Sequence, residues 1–155
     1  MGAYQRLGDL LLAKQRITQD QLDAAVRLKE RSSLRFGEIL VRLGYATEDD
    51  IAECLGQQLD LPVLDPARVR PNPRALALLS YGDAKESLIL PVDLTPEHLA
   101  LVVADPLEMV ITDRLAKRTG RRLALAIATP RRLLVAIADA YEPKRLIDAK
   151  SKENW

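Results

Sequence analysis

Two Arg-x-Gly triplets stand 29 residues apart in this 155-residue chain, Arg6-Leu7-Gly8 and Arg35-Phe36-Gly37. That combination has a definite chemical use. Glycine strips away a side chain so that a planar or phosphate-bearing ligand can reach the backbone, and the open N–H groups of a first helical turn favour anions. Arginine adds a forked cationic plane that stacks on a base or grips guanine O6 and N7. Two copies offer two grips, which suits a ligand that is itself two-fold. Leu11, Leu22, Leu40 and Ile51 stand where they could line apolar walls beneath such a ligand. Around the junction of the copies, Arg27, Lys29, Arg31, Arg35 and Arg42 face only Glu30 and Glu38, a local positive field.

The elements that must position these residues repeat with them. A shift of 29 residues lays Arg6–Lys29 on Arg35–Gln58 and pairs Arg6 with Arg35, Gly8 with Gly37, Leu11 with Leu40, Thr18 with Thr47 and Asp20 with Asp49. Any two amphipathic hairpins share apolar spacing, but amphipathicity does not explain the shared Arg, Gly and Thr, so the pattern reads as a duplication. Each copy predicts a short helix, a turn and a longer helix. Thr18 and Thr47 are N-cap residues, Gln21 completes a capping box with Thr18, and Ile17 with Leu22 forms a hydrophobic staple that Ala46 with Ile51 copies more weakly. The second copy turns at Gly44, suited to a left-handed backbone, whereas the first has Gln15 at that point.

After this half the grammar changes. Pro62, Pro66, Pro71 and Pro73 crowd one stretch and favour an extended course. Beyond it, Leu88 to Leu94, Leu99 to Ala104 and Leu123 to Ala128 read as strands. Asn72-Pro73, Asp105-Pro106 and Thr129-Pro130 each place an N-cap residue before a proline at the first helical position, and Gly120 stands where a helix should end. The expected fold class is α+β: an N-terminal four-helix subdomain of tandem helical hairpins, then a small α/β subdomain with a three-stranded sheet, one hairpin and one crossover. The boundaries are 1–61 for the helical repeats, 62–73 for a proline-rich linker, 74–143 for the α/β part and 144–155 for a polar tail, either frayed or helical and solvated.

Composition narrows the function. With 48% apolar residues the chain can build a core, and a formal net charge of +1 gives no global footprint for DNA or an anionic membrane. The first half is acidic, with 8 Lys+Arg against 11 Asp+Glu before Pro66. That balance speaks against a DNA-reading helix-turn-helix. No run of 18 apolar residues marks a membrane span and the N-terminus lacks signal-peptide order, so the expected location is cytoplasmic. The single Cys54 and single His98 supply neither a disulfide nor an ordinary zinc site. There is no phosphate loop ending in Lys-Ser/Thr, no dinucleotide fingerprint and no nucleophile with a His partner, so the expectation is a binding protein without enzymatic activity, metal or cofactor.

For each motif a plainer role stands beside the sharp one. Gly8 and Gly37 serve equally as close-packing glycines between helices, and the Leu/Ile stripe as core. Cys54 reads as a small buried hydrophobe, His98 as an exposed turn residue and Asp105 as an N-cap. Arg121-Arg122 and Arg131-Arg132 read as solvated pairs or as a docking face.

Arg6-Leu7-Gly8-x-x-Leu11, and Arg35-Phe36-Gly37-x-x-Leu40-x-x-x-Gly44 closing on Leu55-x-x-Gln58, resemble the tandem motifs of the MshEN domain. That is the N-terminal domain of type II secretion and type IV pilus assembly ATPases, of the GspE N-terminal kind. Ile89-Leu90-Pro91-Val92, Leu99 to Pro106 and the final helix to Tyr141 fit the same family. The resemblance implies a regulatory or docking domain whose helical half binds cyclic di-GMP through Arg6, Leu7, Gly8, Leu11, Leu22, Lys29, Arg35, Phe36, Gly37, Leu40, Ile51 and Gln58. It also implies a protein partner from a secretion, pilus or motility machine. A nucleotide-independent docking adaptor is the alternative. The chain departs from the pattern at Gln15, at Lys29 where an amide closes the motif, and at Phe36. An ammonium cannot reproduce both the donor and the acceptor of an amide.

Overall fold

A computed structural model describes residues 3–153, with side chains described over 7–142. The chain divides into two compact units, Met1–Leu61 and Pro62–Trp155.

The first unit holds four helices, α1 (Ala3–Ala13), α2 (Gln19–Glu30), α3 (Phe36–Arg42) and α4 (Glu48–Leu59). Both long helices start on reciprocal caps. The Thr18 hydroxyl accepts from the Gln21 N–H at 3.2 Å while Gln21 Oε1 accepts from the Thr18 N–H at 2.9 Å. Asp50 does the same for Thr47, with bonds of 3.1 and 3.0 Å, so the second copy has a capping box as well. Such a cap satisfies donors that the first helical turn leaves open, worth about 1 kcal/mol each.

The two turns are superimposable in their bonding. Gln15 takes φ of 59° and Gly44 φ of 74°. The Gln15 N–H donates to the Leu12 carbonyl and the Arg16 N–H to the Leu11 carbonyl, at 3.0 and 2.9 Å. Gly44 and Tyr45 repeat this against Val41 and Leu40 at the same distances. Closing the helix this way demands a left-handed residue. The first repeat makes the turn with a side chain that the conformation disfavours, so the Gln-for-Gly departure changes strain rather than path.

The four helices pack as a ring. Within each repeat α1 meets α2 and α3 meets α4; between repeats α1 lies against α4 and α2 against α3. Leu7, Leu11, Leu22, Phe36, Ile39, Leu40 and Leu55 fill the interior. Each such side chain removed from water contributes roughly 1.5–3 kcal/mol before conformational entropy is counted. Cys54 belongs to that interior, and burial pushes its thiol pKa up from the ordinary 9.0.

The second unit contains a 3-10 turn (Pro66–Arg68), α5 (Pro73–Leu76), α6 (Tyr81–Ser87), β1 (Ile89–Leu94), β2 (His98–Val103), α7 (Val110–Thr119), β3 (Arg122–Ile127) and α8 (Pro130–Glu153). The sheet order is β1-β2-β3, with β1 antiparallel to β2 and β3 parallel to β2 through the α7 crossover. Register slips between Pro91 and Asp93. Proline lacks the N–H a ladder needs, which an edge strand tolerates. Leu88 caps α6 at φ of 55°, so β1 begins one residue later than the apolar run suggests. The core of this unit lies between the sheet and its helices, with Leu90, Leu99, Leu101, Leu115, Leu133 and Ile137 fully enclosed. Tyr141 O–H reaches the carbonyls of Leu79 at 2.9 Å and Leu76 at 3.2 Å, joining α8 to the α5–α6 corner. Desolvation pushes its pKa up to about 12.

Three readings of the sequence differ from the structure. Residues 62–73, read as a linker, are built into this unit. At one edge of the sheet the Leu64 N–H donates to Ile127 and the Ile127 N–H to Pro62, and at the other the Asn72 N–H donates to the Val92 carbonyl at 2.7 Å. The helix opened by Asn72-Pro73 stops after one turn and restarts on a Ser80 cap. Asp105 caps only a local turn, accepting from the Leu107 N–H at 3.0 Å, and α7 begins at Val110. Of the two alternatives for the polar stretch from 144, frayed or helical, the structure has the helix, which continues α8 as far as Glu153. Gly120, at φ of 67°, ends α7 as expected.

Gln15→Gly should raise the unfolding free energy by about 1 kcal/mol, because glycine removes the left-handed penalty and loses part of that gain to unfolded-chain entropy. Urea denaturation measures it. No gain, or a loss, means that this turn carries no strain.

Candidate functional site

The duplicated residues come together through the helix ring. Gly8 on α1 sits under Leu22 of α2, so close that a Cβ built on Gly8 would lie 2.5 Å from Leu22 Cδ1. Gly37 on α3 sits under Ile51 of α4 in the same way, with 2.9 Å to Ile51 Cγ2. Both contacts are below any normal carbon–carbon separation, so a Cβ at either glycine would force the side chain above it to shift. The close-packing role of these glycines is thus present in both repeats.

The apolar members divide by depth. Leu7, Leu11, Leu22, Phe36 and Leu40 are buried, while Ile51 is half-buried. Arg35 is the N-cap of α3, in extended backbone with φ of −68° and ψ of 148°, and its carbonyl accepts the Ile39 N–H at 3.0 Å. Its side chain makes no capping bond. It is half-buried, as is Gln58 on the last turn of α4. Arg6-Leu7-Gly8 does not open its helix as the sequence suggests: α1 begins at Ala3, so the triplet lies within it, unlike Arg35-Phe36-Gly37 at the start of α3, and the Arg6 side chain lies outside the described residues.

Lys29 is placed differently from what its position in the repeat suggests. It occupies the first-repeat counterpart of Gln58, and its ammonium donates to the Leu34 carbonyl at 2.8 Å. Leu34 N–H in turn donates to Ser32 Oγ at 3.0 Å, and Ser32 N–H to the Lys29 carbonyl at 3.3 Å. The five-residue connection between α2 and α3 is therefore knitted to the end of α2. Leu34 and Ser32 escape a sequence reading because the acceptor is a backbone carbonyl, which no residue type announces.

Charge on the other between-repeat seam is paired. Lys14 Nζ meets Glu53 Oε1 at 3.1 Å and Arg16 meets Asp50 at 3.5 Å, both at partly exposed sites where a pair is worth at most about 1 kcal/mol. Arg42 leans on Glu38 at 3.7 Å. Of the basic residues at the junction, Lys29 and Arg42 are thus engaged locally, while Arg27 and Arg31 are exposed. Among the described residues no cluster of metal-ligating side chains occurs, and no helix is long and apolar enough to cross a membrane.

A ring of two glycine-hinged helical hairpins, followed by a three-stranded mixed sheet covered by helices, defines a two-part α+β domain. The model of the MshEN domain matches residues 59–145, and the chain belongs to that family. The type IV pilus assembly ATPase PilB of Myxococcus xanthus is 26% identical over 139 residues, which cover 90% of this chain and 25% of PilB. Type II secretion system protein E of Xanthomonas campestris pv. campestris is 29% identical over 129 residues, covering 81% of this chain and 23% of that protein. The chain therefore spans about a quarter of these relatives. A solved structure of MshE with cyclic di-GMP superposes with a TM-score of 0.74 at 27% identity, covering 88% of this chain and 99% of that one. The family model lies almost wholly in the second unit; the structural likeness takes in the helical ring as well.

If Gly8 exists to admit Leu22, the two positions must be coupled. Gly8→Ala alone should force Leu22 aside, and in a double-mutant cycle with Leu22→Ala the pair should be about 1 kcal/mol less damaging than the sum of the single changes. Additive effects in chemical denaturation would show that the close approach costs nothing.

Proposed function

We propose that this chain is a cyclic di-GMP-binding regulatory module that docks onto a protein of a secretion, pilus or motility machine. The observation that carries this reading is the likeness, across both repeats and both units, to the MshE structure that holds cyclic di-GMP. Arg35 and Gln58 keep in the second repeat two residue types such a ligand requires: a guanidinium for guanine or phosphate, and an amide that both donates and accepts. Two repeats related by a ring of helices suit a guest with two guanine bases. Binding would work as regulation by holding the ring in one arrangement, with coupling no larger than the ligand's preference for that arrangement. The module supplies recognition rather than catalysis in this reading.

One observation favours the second reading, a docking adaptor that needs no nucleotide. Leu7, Leu11, Phe36 and Leu40 are packed inside the ring, where they serve as core, and Lys29 spends a donor on the chain itself.

Calorimetric titration separates the two. The receptor reading predicts saturable heat with a Kd below roughly 100 µM, and a loss of at least about tenfold on Arg35→Ala, as expected when a charge-assisted hydrogen bond is removed. Absence of heat and of any thermal shift from the unaltered chain rejects it and leaves the adaptor.

A further inference from the structure

The duplication places the end of one repeat beside the start of the next, but only once. Lys29 closes the first repeat and lies five residues before Leu34, the residue that immediately precedes Arg35-Phe36-Gly37; Gln58 closes the second repeat with no third repeat to follow. The chain exploits this juxtaposition. Lys29 Nζ donates to the Leu34 carbonyl at 2.8 Å in a half-buried setting, and Ser32 Oγ accepts from the Leu34 N–H, so both backbone groups of Leu34 are held. A lysine stem is one bond longer than that of glutamine and ends in three rotatable donors, whereas the glutamine found at the corresponding place in the second repeat ends in a short fixed amide. Residue 29 is thus suited to spanning the connection rather than to reading a base.

From this geometry we infer that Lys29 is a positioning residue for the second repeat: by fixing the Leu34 carbonyl it sets the backbone entry into α3, and so the direction from which Arg35 is presented to a nucleotide. The inference rests on the receptor reading above. It assigns Lys29 a different part from the direct ligand contact that its place in the repeat implies. It also accounts for the change of residue type in the first repeat, because a half-site that gives up its own amide gains a brace for its neighbour. Holding a carbonyl with a charged donor costs little at a partly solvated site and orders the residue on either side.

The test is cyclic di-GMP titration of the full chain and of Lys29→Met and Lys29→Arg, each with a thermal melt and a spectroscopic comparison of Arg35 Nε–H by NMR. Methionine keeps the apolar stem and removes the donor; arginine restores a donor of similar reach. The inference predicts that Lys29→Met weakens binding at least about tenfold while the melting temperature stays close to that of the parent, that the Arg35 signal moves in the absence of ligand, and that Lys29→Arg recovers most of the affinity. Parent-like affinity in Lys29→Met overturns the inference and leaves the receptor reading intact. A loss of affinity that tracks a matching loss of thermal stability, or an Arg35 signal that does not move, also overturns it, because the residue is then merely structural or a direct contact. No binding by the parent chain overturns the receptor reading itself, and the inference falls with it.

Discussion

A single helical hairpin cannot bury its own apolar stripe, and the helical unit is organised around that constraint. The first helix of each repeat lies against the second helix of the other, and Leu11 and Leu40, at corresponding positions on α1 and α3, are fully buried. Gly8 and Gly37 present bare backbone to Leu22 and Ile51, whose side chains would have to shift to admit a Cβ. Neither half can then move its Arg-x-Gly segment without disturbing the other. This mutual packing is what would convert occupancy of one segment into a property of the whole ring.

The two between-repeat seams are unequal in their polar bonds. The α1–α4 seam carries the Lys14–Glu53 and Arg16–Asp50 pairs, exposed enough that water screens them. On the α2–α3 side a shift of 29 residues puts Leu43 and Tyr45 where Lys14 and Arg16 stand, and the polar tie is instead the Lys29 ammonium on a backbone carbonyl. A pseudo-symmetric scaffold thus carries an asymmetric set of fasteners. The second unit is fastened more uniformly: its strap of residues 62–73 reaches both edges of the sheet, and the Tyr141 hydroxyl ties the long terminal helix to the carbonyls of Leu76 and Leu79.

Legibility in the sequence followed the range of the interaction. The repeat, both threonine caps, the left-handed Gly44 and Gly120, and the three strands were readable because each is signalled by residue type within a few positions. Gln15 was not, since a side chain in a left-handed turn is imposed by the tertiary closure that Gly44 obtains freely. Asp105 satisfied an N-cap pattern, yet it accepts from Leu107 in a local turn and the helix starts only at Val110. The proline stretch resembled a linker because proline lacks donors, whereas the neighbouring Leu64 and Asn72 supply them. Within the candidate site, Arg35, Gly37 and Gln58 could be named from the repeat, but the tie from Lys29 to Leu34 involves a carbonyl that any residue would offer.

The claim that everything else depends on is that the two repeats form one cooperative ring. Native-state amide hydrogen exchange across residues 7–61, followed as a function of low denaturant, tests it most directly. In a cooperative ring the slowest amides of α1, α2, α3 and α4 should converge on a single opening free energy, because the departure of any helix strips two others of a partner. Convergence of α1 with α2 at a lower energy, while α3 and α4 stay protected, would show that the repeats are independent hairpins and would contradict the account.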